Sequence, residues 1–153
     1  MTLTPQLTLS AKQKRLVRES FDSMMEYENS VLVLFYGRLF EIAPEARSLF
    51  KIDIREQSGK LMETLRIVIE ALDRFEQLFP HLAELGRKHV GYGVEPYLYE
   101  KLRSALLWAL GQALGAQFDR ETRAGWDGLL TAVSAAMLEA ARTESDLSKI
   151  SAK

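Results

Sequence analysis

Cysteine is absent from the 153 residues. That excludes a disulfide framework, a thiolate nucleophile, an iron–sulfur cluster and a cysteine zinc site. Neither sign of charge is in excess: 20 Lys and Arg stand against 21 Asp and Glu, a formal charge of −1. Such a balance offers no electrostatic footprint for nucleic acid and no polybasic patch for anionic lipid. Long apolar runs are missing as well; the stretch 31–36 is far too short to span a bilayer. Residues 1–9 carry no positive charge ahead of a long apolar core, so no secretory signal is expected. These absences point to a cytoplasmic protein without nucleic-acid or membrane partners.

Alternating strand patterns bounded by hairpin turns are also missing, so no sheet is expected. What is present is helical spacing, punctuated by only four prolines and nine glycines. Ser10 and Gln13 form a capping-box pattern ahead of a first helix whose inner face is Leu16, Val17, Ser20, Phe21 and Met24. A second helix, about 29–42, carries Leu32, Phe35, Tyr36, Leu39 and Phe40 inward, and Pro44 restarts a short turn. The longest periodic run places Gln57, Leu61, Leu65, Val68 and Leu72 on one face. A connection around 75–80 follows. Pro80 then opens a helix bearing Leu82, Leu85 and His89, which Gly91 and Gly93 close.

Pro96 opens the next helix, with Leu102, Ala105, Leu106, Ala109, Leu110 and Ala113 inward. Asp119 caps the last, which buries Trp126, Leu129, Leu130, Val133 and Met137. The expectation is one all-α domain over 1–153, of about seven helices, with a core of about 10–142 and a frayed polar tail at 143–153.

Few residues offer chemistry. The two histidines, His81 and His89, would lie about 12 Å apart on one helix, too far to share a metal ion. Leu78 and Gly86 stand three residues before them, so the Glu-x-x-His pairs of carboxylate di-iron bundles are absent. A zincin motif, a phosphate-cradling Gly-rich loop and a Gly-x-Ser-x-Gly elbow are also absent. His81, in the first turn of its helix, is expected to be solvated. His89 shares the inward face of Leu82 and Leu85; it is either a helix-end histidine bonded to a carbonyl or a ligand. Tyr36 and Gln57 are inward polar groups that either bond each other or the backbone, or face a cavity with a polar ligand.

Read together, these residues resemble the globin family. Tyr36, Pro44 eight later and Phe50 another six later resemble its distal tyrosine, helix-breaking proline and haem-stacking phenylalanine. Gln57-Ser58-x-Lys60-Leu61 is similar to the start of the distal helix, and Leu85-Gly86-Arg87-Lys88-His89 to the proximal histidine segment. The spacing of Gly115, Phe118 and Trp126 resembles that of the closing pair of helices. The resemblance covers about 10–142. It is nearest to bacterial single-domain globins related to flavohaemoglobins, and to neuroglobin-like proteins.

The resemblance implies a globin fold around haem b (iron protoporphyrin IX). It makes His89 the proximal iron ligand through Nε2, with its other ring nitrogen donating to a carbonyl near Leu85. Phe50 would pack on the porphyrin, Leu61, Leu85, Val94 and Tyr99 would line the pocket, and Arg55 and Lys60 would meet the propionates. Tyr36 and Gln57 would donate hydrogen bonds to a diatomic ligand: dioxygen, carbon monoxide or nitric oxide. With Gln57 at the distal position, a bis-histidine iron through that position is excluded. Leu130 stands where relatives often keep a tyrosine, and His89 has no acidic partner pattern, which argues against a peroxidase-like role.

The implied function is reversible, high-affinity dioxygen binding. Nitric oxide dioxygenation is a further activity that would depend on an external reductase, since 153 residues leave no room for a flavin domain. No residue is assigned a catalytic role. The alternative is a globin-fold sensor or signalling module, with or without haem.

Overall fold

The computed structural model describes residues 7–50 and 54–151. Among them are six α-helices: α1 (Ala11–Met25), α2 (Glu28–Ile42), α3 (Ile54–Glu70), α4 (Phe79–Gly91), α5 (Tyr97–Leu114) and α6 (Arg120–Ser151). Short 3₁₀ segments occupy Pro44–Leu49, Leu72–Leu78 and Gly115–Gln117, and no strand occurs among the described residues.

The helix starts follow from local chemistry. Ser10 Oγ accepts the Gln13 backbone N–H at 3.1 Å while Gln13 Oε1 accepts the Ser10 N–H at 3.0 Å, which completes the capping box of α1. Asp119 Oδ1 accepts the Thr122 N–H at 2.9 Å and caps α6. Pro96 stands immediately before α5. Gly115, at φ +55°, takes the left-handed turn that ends α5, a region glycine enters without a Cβ penalty.

Packing closes the layers. α4 lies along α6, α2 along α5, and α1 against α6. Val17, Phe21 and Met24 of α1, Val31, Phe35 and Leu39 of α2, and Trp126 and Leu129 of α6 are buried in one core. Each such side chain contributes roughly 1.5–3 kcal/mol by leaving water. Two buried polar groups satisfy each other across this core. Trp126 Nε1 donates to Ser20 Oγ at 2.8 Å, and Ser20 Oγ donates to the Leu16 carbonyl at 2.7 Å.

Three expectations need correction. The connection expected around 75–80 is a 3₁₀ segment, Leu72–Leu78, kinked at Arg74 and running straight into α4 at Phe79. Leu72, Phe75 and Leu78 recur every third residue, and a 3₁₀ helix eclipses that spacing into one buried stripe. The segment 143–151, expected to fray, continues α6 to Ser151. No glycine or proline follows Gly128 to stop it. Leu16, Leu32, Phe40, Leu102, Ala113 and Val133, expected inward, are half-buried flanks of their stripes. No described helix is long and apolar enough to cross a membrane.

Candidate functional site

α4 delivers the imidazole. Leu82, fully buried, fixes the helix one turn in, and His89 follows on the same side near its C-terminus. His89 Nδ1 lies 2.7 Å from the Leu85 carbonyl, one turn back. A carbonyl only accepts, so Nδ1 carries the proton and the Nε2 lone pair is left for a ligand. No described group bonds Nε2. Burial pushes the His89 pKa below its ordinary value, with the Leu85 hydrogen bond opposing more weakly. The neutral, ligating form is therefore favoured.

The chain then turns sharply. Gly93, at φ +83°, lets the Val94 N–H return to the His89 carbonyl at 3.0 Å. The imidazole sits beside two phenols, with ring centroids 6.3 Å from Tyr92 and 6.1 Å from Tyr99. Tyr92 is exposed. Tyr99 is buried, and its hydroxyl has no partner among the described residues. Burial raises the Tyr99 pKa.

The other wall comes from α2, the 3₁₀ turn and α3. Tyr36 is buried on α2, its ring stacked on Phe40 at 6.1 Å and met edge-on by Phe50 at 5.5 Å. Burial raises its pKa, and a hydrogen bond with the Ser58 side chain partly offsets that rise. The polar group beside the phenol is thus Ser58, which was not singled out in the sequence, and not Gln57. Gln57 and Leu61 lie half-buried one turn apart on α3. The buried stripe of α3 is Ser58, Met62, Leu65, Val68 and Ile69: Leu65 and Val68 are buried as expected, while at the start of the helix Ser58 and Met62 take the inward places expected for Gln57 and Leu61. The four-, seven- and eleven-residue spacings from Ser58 carry that signal.

Arg55 and Lys60 are exposed on α3, consistent with a rim position. Phe50, Leu85 and Val94 are half-buried against the core, and Leu130 is buried. His81 is exposed, as expected.

Two contacts hold the walls side by side. Tyr97 Oη donates to Glu45 Oε1 at 2.6 Å, tying the start of α5 to the Pro44–Leu49 turn. Gly93 faces the Leu49 side chain, which a Cβ there would meet at 3.9 Å. The segment leading to Phe50 is thereby joined to the segment leaving His89.

No described group of three or more His, Asp or Glu is arranged to hold a bare metal ion. The residues instead suit an iron already held by a flat, mostly apolar macrocycle. One imidazole offers an unclaimed Nε2, aromatic and aliphatic side chains stay half-buried along both walls, and the buried Tyr99 hydroxyl awaits a partner. These features fit haem.

Comparison with known proteins agrees. The Globin family profile matches residues 33–137. Neuroglobin of Tetraodon nigroviridis is 30% identical over 143 residues, covering 84% of this chain and 90% of that one. Neuroglobin of Danio rerio is 27% identical over the same span. Among solved structures, a bacterial globin from Campylobacter jejuni superposes with a TM-score of 0.78 at 17% identity, covering 90% of this chain and 99% of that one. An engineered carbene transferase, derived from a putative nitric oxide dioxygenase of Rhodothermus marinus, gives 0.75 at 23% identity, covering 95% and 100%. The chain belongs to the globin family.

Proposed function

We propose that this globin holds haem b through His89 Nε2 and binds dioxygen reversibly and with high affinity. The observation that carries the reading is the His89 Nδ1 to Leu85 carbonyl bond at 2.7 Å, which fixes the tautomer and aims Nε2 away from the helix. When bound, haem would supply an iron centre able to take a diatomic ligand, with His89 holding it on the protein's side.

The protein's own groups do the rest. Phe50, Leu61, Leu85, Val94 and Tyr99 exclude water from the macrocycle, and Arg55 and Lys60 meet its carboxylates. Tyr36 holds its proton because burial raises its pKa, so it is a neutral donor across the physiological range. Directed at a ligand with partial negative charge, that donor is worth about 1.5–3 kcal/mol. This corresponds to roughly ten- to hundred-fold in ligand release. Gln57, half-buried on α3, is the second donor.

The same site supports oxidation of nitric oxide to nitrate: one nitric oxide, one dioxygen and one electron give one nitrate ion, the electron coming from an external reductase. The setting we propose is the cytoplasm.

Purification with hemin supplied tests the reading directly. A Soret band is expected in the native chain, and His89→Ala is expected to lose the native spectrum. A native chain without the band, or a His89→Ala variant that keeps pigment and spectrum unchanged, overturns it; the first result would favour a haem-free signalling module.

A further inference from the structure

Leu82, Gly86 and His89 fall at i, i+4 and i+7 of α4 and so share one stripe. Gly86 is buried, and it is pressed onto the backbone of α6. A Cβ placed on it would stand 2.9 Å from the Met137 carbonyl carbon and 3.0 Å from the Met137 Cα, and closer still to the carbonyl oxygen. All three are main-chain atoms, so no rotamer change can clear them. The glycine presents only a hydrogen there, which permits a Cα–H···O approach of the two helices. Leu82, with no exposure, pins α4 one turn earlier, and the Leu85 carbonyl that orients His89 is the adjacent residue. Any separation forced at Gly86 therefore moves the half of α4 that carries both the imidazole and its orienting carbonyl.

We propose that Gly86 is a positioning residue for His89: its missing side chain sets how deeply α4 seats on α6, and hence where Nε2 meets the iron. This inference rests on the haem reading above. It adds a determinant that touches neither ligand nor macrocycle and acts only through the imidazole. A methyl group cannot be absorbed locally, because packed helices transmit rather than damp such a displacement.

Gly86→Ala tests it, with Gly125→Ala as the control. Gly125 makes a looser close approach of α6 to α1, where a Cβ would meet the Val17 Cγ2 side-chain methyl at 3.0 Å and the Gln13 carbonyl oxygen at 3.3 Å, away from His89. The measurements are the iron–histidine stretching mode of the ferrous protein and the rate of haem transfer to excess apomyoglobin. Gly86→Ala is expected to shift the mode and to lose haem about tenfold faster, while Gly125→Ala moves neither, whatever its effect on the thermal midpoint. In a His89→Gly background supplied with free imidazole, adding Gly86→Ala is expected to leave the iron–imidazole mode where it was, since an untethered ligand no longer feels α4.

Alanine is the better helix former. A Gly86→Ala protein that gains stability with an unmoved mode therefore overturns the proposal. So does a Gly86→Ala chain that fails to fold, which would make the contact a requirement of the whole fold. If the native chain shows no His89-dependent Soret band, the haem reading itself has failed, and that result is distinguishable from both.

Discussion

Replacing Tyr36 with phenylalanine removes one oxygen and leaves the ring packed on Phe40 and Phe50, so any change in ligand release reports on the hydroxyl alone. The expected outcome is an oxygen dissociation rate raised about tenfold or more in Tyr36→Phe, measured by stopped flow. An unchanged rate would remove the phenol from the role of main donor. At this scale the sequence was informative where chemistry is rare. With only two histidines, and one on an apolar face, His89 stood out from the residues themselves, while the expectation of a bond to a carbonyl near Leu85 came from the globin resemblance and is met by the Nδ1 contact. Ser58 escaped because a serine on a helix is unremarkable until the turn of the helix is known to within one residue. The Tyr99 hydroxyl, unpartnered among the described residues, escaped because satisfaction of a buried group depends on what other segments bring to it.

Helices begin and end on local signals, so most of the element boundaries were legible. Asp119 shows how such a signal can be tested. Its carboxylate accepts the Thr122 N–H, and that bond holds its pKa below the ordinary aspartate value of 3.8. The folded chain thus binds this proton less readily than the unfolded one. The cap's contribution is present above the unfolded value and is lost as pH falls through the lowered folded value. Asp119→Ala is expected to lower the thermal midpoint at neutral pH, and the gap from the native protein should narrow on acidification. Asp119→Asn keeps the cap but cannot titrate, so its midpoint should stay near the native one at neutral pH while the cap-dependent acid loss disappears. A constant gap across pH for Asp119→Ala would show that the cap does not titrate as argued. The Leu72–Leu78 segment was not legible, because a repeat of three looks like neither a 3.6-residue helix nor a strand.

Across the whole molecule, the decisive contacts join residues far apart in sequence, and no window of local pattern contains them. Trp126 with Ser20, Met137 against Gly86 and Tyr97 with Glu45 are all of this kind. The last has a consequence for how the two walls stay together. The Tyr97 hydroxyl, its pKa pushed up to about 12 chiefly by the hydrogen bond to Glu45, keeps its proton at any physiological pH. The same bond holds the Glu45 pKa below its ordinary value, so the carboxylate stays ionised until the solution turns acid. The clasp is thus intact between those limits, and it loosens as pH falls through the lowered Glu45 value. Both groups are solvated, so its effect on global stability is small. Its effect on the site is more direct, because it ties the turn leading to Phe50 to the start of α5, the element that follows His89 in the chain. Tyr97→Phe is expected to leave helix content and the thermal midpoint of the haem-free chain nearly unchanged while haem transfer to apomyoglobin quickens by a few-fold. In the native protein that transfer should quicken on acidification in a way that Tyr97→Phe partly removes. Identical transfer rates for the two proteins at neutral pH would show that the walls are held by their apolar contacts alone.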